Sequence, residues 1–185
     1  MSGRLFLCLL LLSSAARAEG NFALIEQIGD DNRATLRQSG GDAEATIRQQ
    51  GSGHEASLTQ SNGDQAARVE QSGRRNAAQV VQAGGDANLA DLEQRGTAEI
   101  AIIASRGSGN VISVAQDGQA HEASIQVTGD ANRLGIDQAG RSNTAELAIQ
   151  GSGNDWTVEQ AGRGLAIRIR RDGDAQPLAV HQSGP

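Results

Sequence analysis

The stretch Ile25–Gly40 reads IEQIGDDNRATLRQSG and contains Gln-x-Gly twice, eleven residues apart. The same spacing continues to the C-terminus, with one residue inserted near positions 84–87, and gives fifteen equivalent positions. We call each of these positions, most of which carry Gln, a station. Gly follows two residues after every station except one, where Asn62 replaces it. Such regularity is typical of an architecture that stacks copies of one unit. The stations that carry Gln are Gln27, Gln38, Gln49, Gln60, Gln71, Gln82, Gln94, Gln116, Gln138, Gln160 and Gln182.

The repeated unit reads Asn-x-Ala-x-Leu-x-Gln, followed by x-Gly-x-x. Its first seven residues alternate with period two, which predicts a β-strand with one buried face. The four residues around Gly predict a turn, because Gly accepts a positive φ at little cost. A helix would scatter these positions around its surface. Asn occupies the first position in Asn32, Asn76, Asn88, Asn110, Asn132, Asn143 and Asn154.

Late in the chain, Gln is lost at every second station only. The replacements are Ser105, Val127, Ile149 and Arg171. This alternation indicates that two strand–turn units make one structural coil of 22 residues, with different demands on its two faces. The sequence therefore predicts an all-β solenoid of about 15 short strands, stacked parallel and in register. Gln and Asn of successive coils would then hydrogen-bond as ladders along the stack.

The composition argues against an ordinary globular domain. The 185 residues include 24 Gly, two Phe, one Trp and no Tyr. Aromatic side chains normally supply much of a globular core. A thin core between two sheets, built from Ala and aliphatic residues, needs few of them.

The first 18 residues are expected to be a secretory signal, and residues 19–185 the solenoid. Arg4 precedes the apolar run Leu5–Leu12, and Ala16-Arg17-Ala18 fits a cleavage site. Removing this segment takes away Cys8 and two Arg, which leaves 14 Arg against 22 acidic residues and a net charge of −8. A charge of this sign disfavours nucleic acid as a partner.

Both ends of the predicted stack fit the repeat rather than a protective cap. Open strand edges carry unpaired N–H and C=O groups that can pair with another chain. We therefore expect end-to-end assembly of copies of this chain. The predicted polymerisation edges are Asn21, Ala23, Ile25 and Gln27 at one end, and Gln176, Leu178, Val180 and Gln182 at the other.

The phrase Gln-x-Gly-x-x-Asn-x-Ala-x-x-x-Gln resembles the repeat of the curlins, the amyloid subunits of bacterial curli fibres. Residues 27–38 and 71–82 match it in full, and weaker copies cover the rest of residues 19–185. The segment NFALIEQIGDDNRATLRQ (21–38) and the Arg-rich GLAIRIRR (164–171) resemble the minor, nucleating subunit most. A divergent major subunit is the alternative.

This resemblance implies a chain that is secreted through the curli secretion machinery and assembles at the cell surface. Its fibres would act in adhesion and in the biofilm matrix. The partners it implies are further copies of this chain or another curlin subunit, together with contact to the outer-membrane surface.

Two local features are candidates for more specific roles. Residues 99–105 are apolar on both faces, so that Ile100 and Ile102 would point outward near Val81. Such an uncharged β-prone patch could seed assembly or make lateral contacts. Near the C-terminus, Arg168, Arg170 and Arg171 form a basic cluster that could attach the chain to an anionic surface.

The sequence contains no arrangement that points to catalysis, a metal or a cofactor, and we predict a protein that is not an enzyme. His54 and His121 stand at Asn positions three coils apart, too far apart to share a metal. A monomeric solenoid that binds ice or polysaccharide on one flat face is the other class considered. A regular outward array of one residue type would favour it, but the outward positions here are mixed.

Overall fold

The computed structural model describes residues 20–184, so the predicted signal segment 1–18 lies outside the described residues. Within 20–184 the chain forms fifteen β-strands and no helix, which confirms the predicted all-β solenoid. The strands are β1 (Phe22–Asp30), β2 (Arg33–Ser39), β3 (Glu44–Ser52), β4 (Glu55–Ser61), β5 (Gln65–Arg74), β6 (Ala77–Ala83), β7 (Asn88–Thr97), β8 (Ile100–Arg106), β9 (Val111–Gln119), β10 (Glu122–Thr128), β11 (Arg133–Arg141), β12 (Thr144–Gln150), β13 (Asp155–Arg163), β14 (Ala166–Asp172) and β15 (Pro177–Ser183).

Odd- and even-numbered strands form two separate parallel sheets. The odd strands make an eight-stranded sheet in chain order from β1 to β15, and the even strands make a seven-stranded sheet from β2 to β14. Partners lie 22 residues apart, as in Gln27 opposite Gln49. The offset becomes 23 between β5 and β7, because the inserted residue lies in the turn before β7. The predicted 22-residue coil and in-register stacking are confirmed.

The core is a thin layer between the two sheets. The Ala and Leu positions of the repeat point inward, and Ile47, Leu58 and Ile103 are completely buried. Trp156 occupies an Ala position in β13, where it is buried and its indole N–H donates to the Gln176 carbonyl at 2.8 Å. In the terminal coils the inward residues are only half-buried, for example Ile25 and Val180. A coil therefore needs a neighbour on each side to bury its inner face.

The Gly after most stations is required by the closeness of the stacked turns, whereas an added Cβ at Gly84 or Gly173 would have nothing within 4 Å. Gly96 has a φ of 139°, and a Cβ built on it would lie 2.0 Å from the carbonyl oxygen of Gly118 in the next coil. No larger residue fits without moving the turn. The fourth turn residue is less restricted, because Ala98 and Ala120 occupy it with φ near 60°.

Candidate functional site

The eight-stranded sheet contains an unbroken ladder of Gln side chains. Each Nε2 donates to the Oε1 of the Gln one coil further on, from Gln27 to Gln182, with distances between 2.6 and 2.9 Å. From Gln49 onward, the same Nε2 also donates to the backbone carbonyl of the first residue of a strand in the facing sheet. Gln116 Nε2, for example, lies 3.0 Å from the carbonyl oxygen of Ile100. These bonds satisfy buried amides that would otherwise cost about 1–3 kcal/mol each.

The seven-stranded sheet has only a short ladder. Gln38 donates to Gln60 at 3.0 Å, and Gln60 donates to Gln82 at 2.9 Å. Beyond Gln82, the buried residues at this station are Ser105, Val127 and Ile149. The loss of Gln at alternate stations therefore belongs to one sheet, whose buried row continues with Ser105 and then with the apolar Val127 and Ile149.

Asn side chains link the turns that precede the odd-numbered strands. The Oδ1 of Asn110 accepts the backbone N–H of Asn132 at 3.1 Å, and the Nδ2 of Asn110 donates to the Gly129 carbonyl at 2.8 Å. Asn132 repeats the pattern with Asn154. Asn88, Asn110, Asn132 and Asn154 therefore connect four successive coils through side chain and backbone. Asn21 begins this column by accepting the N–H of Ala43 at 2.9 Å.

The turns before the even-numbered strands form a second column, which contains three Asn and three ionisable residues. Its members are Asn32, His54, Asn76, Glu99, His121 and Asn143. From His54 onward, the backbone N–H of each member donates a hydrogen bond to the side chain of the member one coil earlier. His54 Nδ1 accepts the Asn76 N–H at 3.3 Å, so its Nε2 carries the proton, which it donates to the Gln50 carbonyl. His121 has the same arrangement, with Asn143 and Asp117 as its partners.

Glu99 is the residue of this column that sequence reasoning missed. Its position five residues after Gln94, at the Asn phase of the repeat, was the available signal. The side chain is completely buried, and burial raises the pKa of Glu99 to about 7 although the His121 N–H opposes this. Burial also lowers the pKa of His54 and that of His121. Protonation of Glu99 removes a buried charge, whereas protonation of His54 or His121 creates one. A fall in pH therefore favours the folded state at Glu99 and disfavours it at the two histidines.

The two ends of the Gln ladders differ in hydrogen-bonding character. Since every Nε2 points toward the C-terminal end, Gln27 and Gln38 direct their Oε1 acceptors toward the N-terminal end. At the opposite end, Gln182 presents its Nε2, which lies 3.5 Å from the Ala166 carbonyl. One end of the stack therefore offers acceptors and the other offers donors.

The predicted polymerisation edges lie in the outermost strands of the described residues. Ala23 and Ile25 are inward-facing residues of β1, and Leu178 and Val180 are their equivalents in β15. All four are half-buried. Gln176 precedes β15, and its N–H donates to Asn154 Oδ1 at 3.3 Å.

The apolar patch is present as an exposed pair of isoleucines on β8, with Ile100 44% and Ile102 41% exposed. Val81 does not lie opposite either of them. Ile102 faces Gln79, whereas Val81 faces Ala104, two residues further along the strand. The expected stacking near Val81 is therefore diagonal, and Ala77 and Gln79 are the closer neighbours of the pair.

The basic cluster on β14 is partly neutralised. Arg168 Nε lies 2.7 Å from the carboxylate of Glu146 on β12. Arg170 lies opposite Ala148, and Arg171 lies opposite Ile149. Arg170 and Arg171 are both exposed at the edge of the seven-stranded sheet.

Within residues 20–184, no group of three or more His, Cys, Asp or Glu side chains is placed to hold a metal ion. That part of the chain also has no helix of the length and hydrophobicity needed to cross a membrane.

A family model described as the curlin associated repeat matches residues 17–40, 85–118 and 129–162. Two of the matched segments span the Gln and Asn columns of coils in the middle of the stack. No curated protein matches the chain significantly. Repeats of this kind, together with the solenoid fold, suggest a structural subunit rather than an enzyme.

Proposed function

Because the chain carries curlin associated repeats, which support a place in the curlin family, we propose that it is a structural subunit of extracellular curli-type fibres. Copies would add end to end, so that the outer strand of one molecule continues the sheet of the next. Edge pairing of this kind extends a cross-β structure without limit.

The complementary polarity of the stack ends is the observation that supports this proposal most. Acceptors of Gln27 and Gln38 face outward at one end, and the donor of Gln182 faces outward at the other. A second copy can therefore extend both the backbone pairing and a side-chain ladder. A stack with identical ends would place like groups against one another.

The half-buried apolar residues of the terminal coils favour the same arrangement. Ile25 and Leu36 at one end, and Ile169 and Val180 at the other, pack against the core from one side only. Burying an aliphatic side chain fully stabilises an assembly by about 1.5–3 kcal/mol. Contact between copies would bury all four.

Within such a fibre, we assign the chain the role of a minor, nucleating subunit. The similarity of residues 21–38 and 164–171 to that subunit supports this role. The exposed Ile100 and Ile102 offer a site at which another chain can begin to pair. Arg170 and Arg171 would hold the terminal subunit at an anionic outer-membrane surface. Secretion by the curli machinery, adhesion and a place in the biofilm matrix follow from the same assignment.

The experiment is assembly of the purified chain lacking residues 1–18, at neutral pH. We expect fibres with a reflection near 4.7 Å, the spacing of stacked strands. A soluble monomer that persists for weeks would contradict the fibre function and favour a binding solenoid.

A second experiment separates the nucleator from a bulk subunit. A trace of preassembled protein is added to another curlin subunit, and the lag before fibre formation is measured. A shortened lag supports nucleation. An unchanged lag, with this chain forming the mass of the fibre alone, supports the major-subunit alternative.

A further inference from the structure

The two sheets of the stack do not end at the same level. Within residues 20–184, β1 and β2 complete a full coil at the N-terminal end, whereas β15 has no partner strand at its own level in the seven-stranded sheet. The C-terminal end is therefore a step, because β15 lies one strand spacing, about 4.8 Å, beyond its partner β13, and no strand of the described residues lies beyond β14 in the other sheet.

A second copy can meet this step in two ways. If its β1 pairs with β15, the eight-stranded sheets are continuous, but one strand position stays empty between β14 and β2 of the second copy. The backbone groups on both sides of that gap would be unpaired, which is costly when they are shielded from water. If its β1 pairs with β14 instead, its β2 pairs with β15, and no position is empty.

We infer that copies of this chain join with a half turn about the stack axis, with β1 of one copy on β14 of the other and β2 on β15. This inference rests on the proposed fibre function and names its contact surface. The half turn is the operation that already relates each 11-residue unit to the next. It requires no backbone arrangement that the solenoid does not already contain.

Side chains at the joint are complementary under this register. Extending the 22-residue pairing places Gln27 of the second copy opposite Arg171, and Gln38 of the second copy opposite Gln182. A guanidinium only donates hydrogen bonds. Arg171 can therefore donate to the outward Oε1 of Gln27, and the Nε2 of Gln182 can donate to the outward Oε1 of Gln38. The joint gives a reason for Arg at a station that elsewhere carries Gln or an apolar residue.

Charge on the outer face fits as well. The same register places Glu26 of the second copy opposite Arg170. In the chain itself, Glu26 pairs with Arg48 on the neighbouring strand at 2.8 Å, so the joint repeats an ion pair that the solenoid already uses. Asp30 of the second copy meets Asp174, a like-charge contact at exposed turns where salt screens it.

The apolar rows also continue through the joint. Ile25 of the second copy extends the row that ends at Ile169, and its Leu36 extends the row that ends at Val180. As a consequence, the two faces of the fibre exchange at every joint. The long Gln ladder passes through Gln182 into the short ladder that begins at Gln38 of the next copy.

Cysteine cross-linking distinguishes the two joints, because residues 19–185 contain no Cys. Opposed residues on adjacent strands have Cα atoms about 4.8 Å apart, within the range that a disulfide spans. Fibres of the variant E26C/R170C should give a series of covalent oligomers after mild oxidation. The matched variant E26C/H181C, which reports the joint without the half turn, should stay monomeric in a non-reducing gel.

Oligomers from E26C/H181C, or fibres in which neither variant cross-links, would overturn the half turn while leaving the fibre function intact. Failure of the wild-type chain to form fibres would refute the proposed function and the joint with it. Residues 26 and 170 lie at opposite ends of one solenoid, so a cross-link between them reports contact between molecules.

Charge exchange provides an independent test of the same register. Arg170→Glu should slow growth on wild-type seeds about two- to fivefold, the range given by one cross-strand ion pair. Glu26→Arg also loses the ion pair with Arg48, so the double variant Glu26→Arg with Arg170→Glu is compared with Glu26→Arg alone, and it should recover growth relative to that variant when each grows on its own seeds. Arg106→Glu is the control for the change in charge, because Arg106 is exposed in the middle of the stack, opposite Ala83 and Thr128. No recovery in the double variant would contradict the assigned register.

Discussion

The Oε2 atom of Glu99 accepts a 2.9 Å hydrogen bond from the backbone N–H of His121, one coil further along the stack. The Oε1 atom of the same carboxylate has no hydrogen-bond partner within residues 20–184. At the three Asn residues of this column, Asn32, Asn76 and Asn143, the side-chain amide both accepts and donates. Glu99 therefore keeps the acceptor and replaces the donor with a buried group that can ionise.

Replacing this carboxylate by the repeat residue should stabilise the solenoid at alkaline pH. The pKa of Glu99 is raised from 4.5 to about 7 in the folded chain, so stability is lost as the pH rises through that interval. Glu99→Asn should remove this loss and add a donor, a gain of about 1–3 kcal/mol at pH 8. The midpoint of guanidinium unfolding, followed by circular dichroism at pH 5 and 8, measures it. An equal shift with pH in variant and wild type would contradict the assignment.

The two buried histidines should make the stack sensitive to acid. Their folded pKa lies below the ordinary 6.5 because burial disfavours the charged form. The unfolded chain then binds protons more readily, so stability falls as the pH drops below 6.5. Replacing His54 and His121 together by Asn should flatten this slope between pH 6.5 and 5. An unchanged slope in the double variant would contradict this assignment.

Removing one rung of the long Gln ladder should cost more than removing the end of the short one. Gln116→Val leaves the Nε2 of Gln94 without its Oε1 acceptor and the Oε1 of Gln138 without its donor. We expect a loss of about 1–3 kcal/mol for each group left unsatisfied. Gln82→Val breaks one such contact and places Val in a station that Val127 and Ile149 fill further on. Equal losses in the two variants would argue against the ladder as a source of stability.

The turn glycines should differ sharply in their tolerance of alanine. Gly96→Ala forces a Cβ to within 2.0 Å of the Gly118 carbonyl oxygen. Because the φ there is also unfavourable, we expect a loss of at least about 3 kcal/mol. Gly164 has a φ of 66° with nothing within 4 Å of an added Cβ. Gly164→Ala meets only the unfavourable φ and should cost about 1–2 kcal/mol, and thermal melting of the two variants side by side gives the comparison.

The exposed isoleucines should control the start of assembly rather than the stability of the stack. Replacing Ile100 and Ile102 by Lys adds charge to a face that is otherwise prone to pair. The lag in thioflavin kinetics should lengthen severalfold, while the unfolding midpoint changes little. Leu89→Lys is the matched control, since Leu89 is 43% exposed on the other sheet. A lag that lengthens equally in the control would assign the effect to net charge.

Much of the fold could be predicted from the sequence because stacking copies one unit. A period-two pattern repeated every eleven residues specifies the strand, the turn and the buried face of each coil. The inserted residue near 84–87 leaves this pattern intact, because it lies in a turn and the pairing between β5 and β7 only changes its offset there. In a stack of parallel strands in register, each residue contacts its own equivalents. The sequence period therefore also specifies which residues contact one another between coils.

The candidate site was predictable only in part, since a repeat indicates position but not environment. Glu99 occupied an Asn phase, but only the folded turn showed that its carboxylate is fully buried with one oxygen unpaired. Val81 was expected beside the exposed isoleucines, and the pairing of β6 with β8 places Gln79 there instead.

The sequence by itself determined the strand, the turn, the coil length and the stations of Gln, Asn and Gly, because local alternation and Gly chemistry act within one unit. The tertiary structure decided the direction of the Gln amides, the protonated nitrogen of each buried His, and the step between β14 and β15 at the end of the stack. These depend on contacts between coils 22 residues apart, where a donor must meet an acceptor in space.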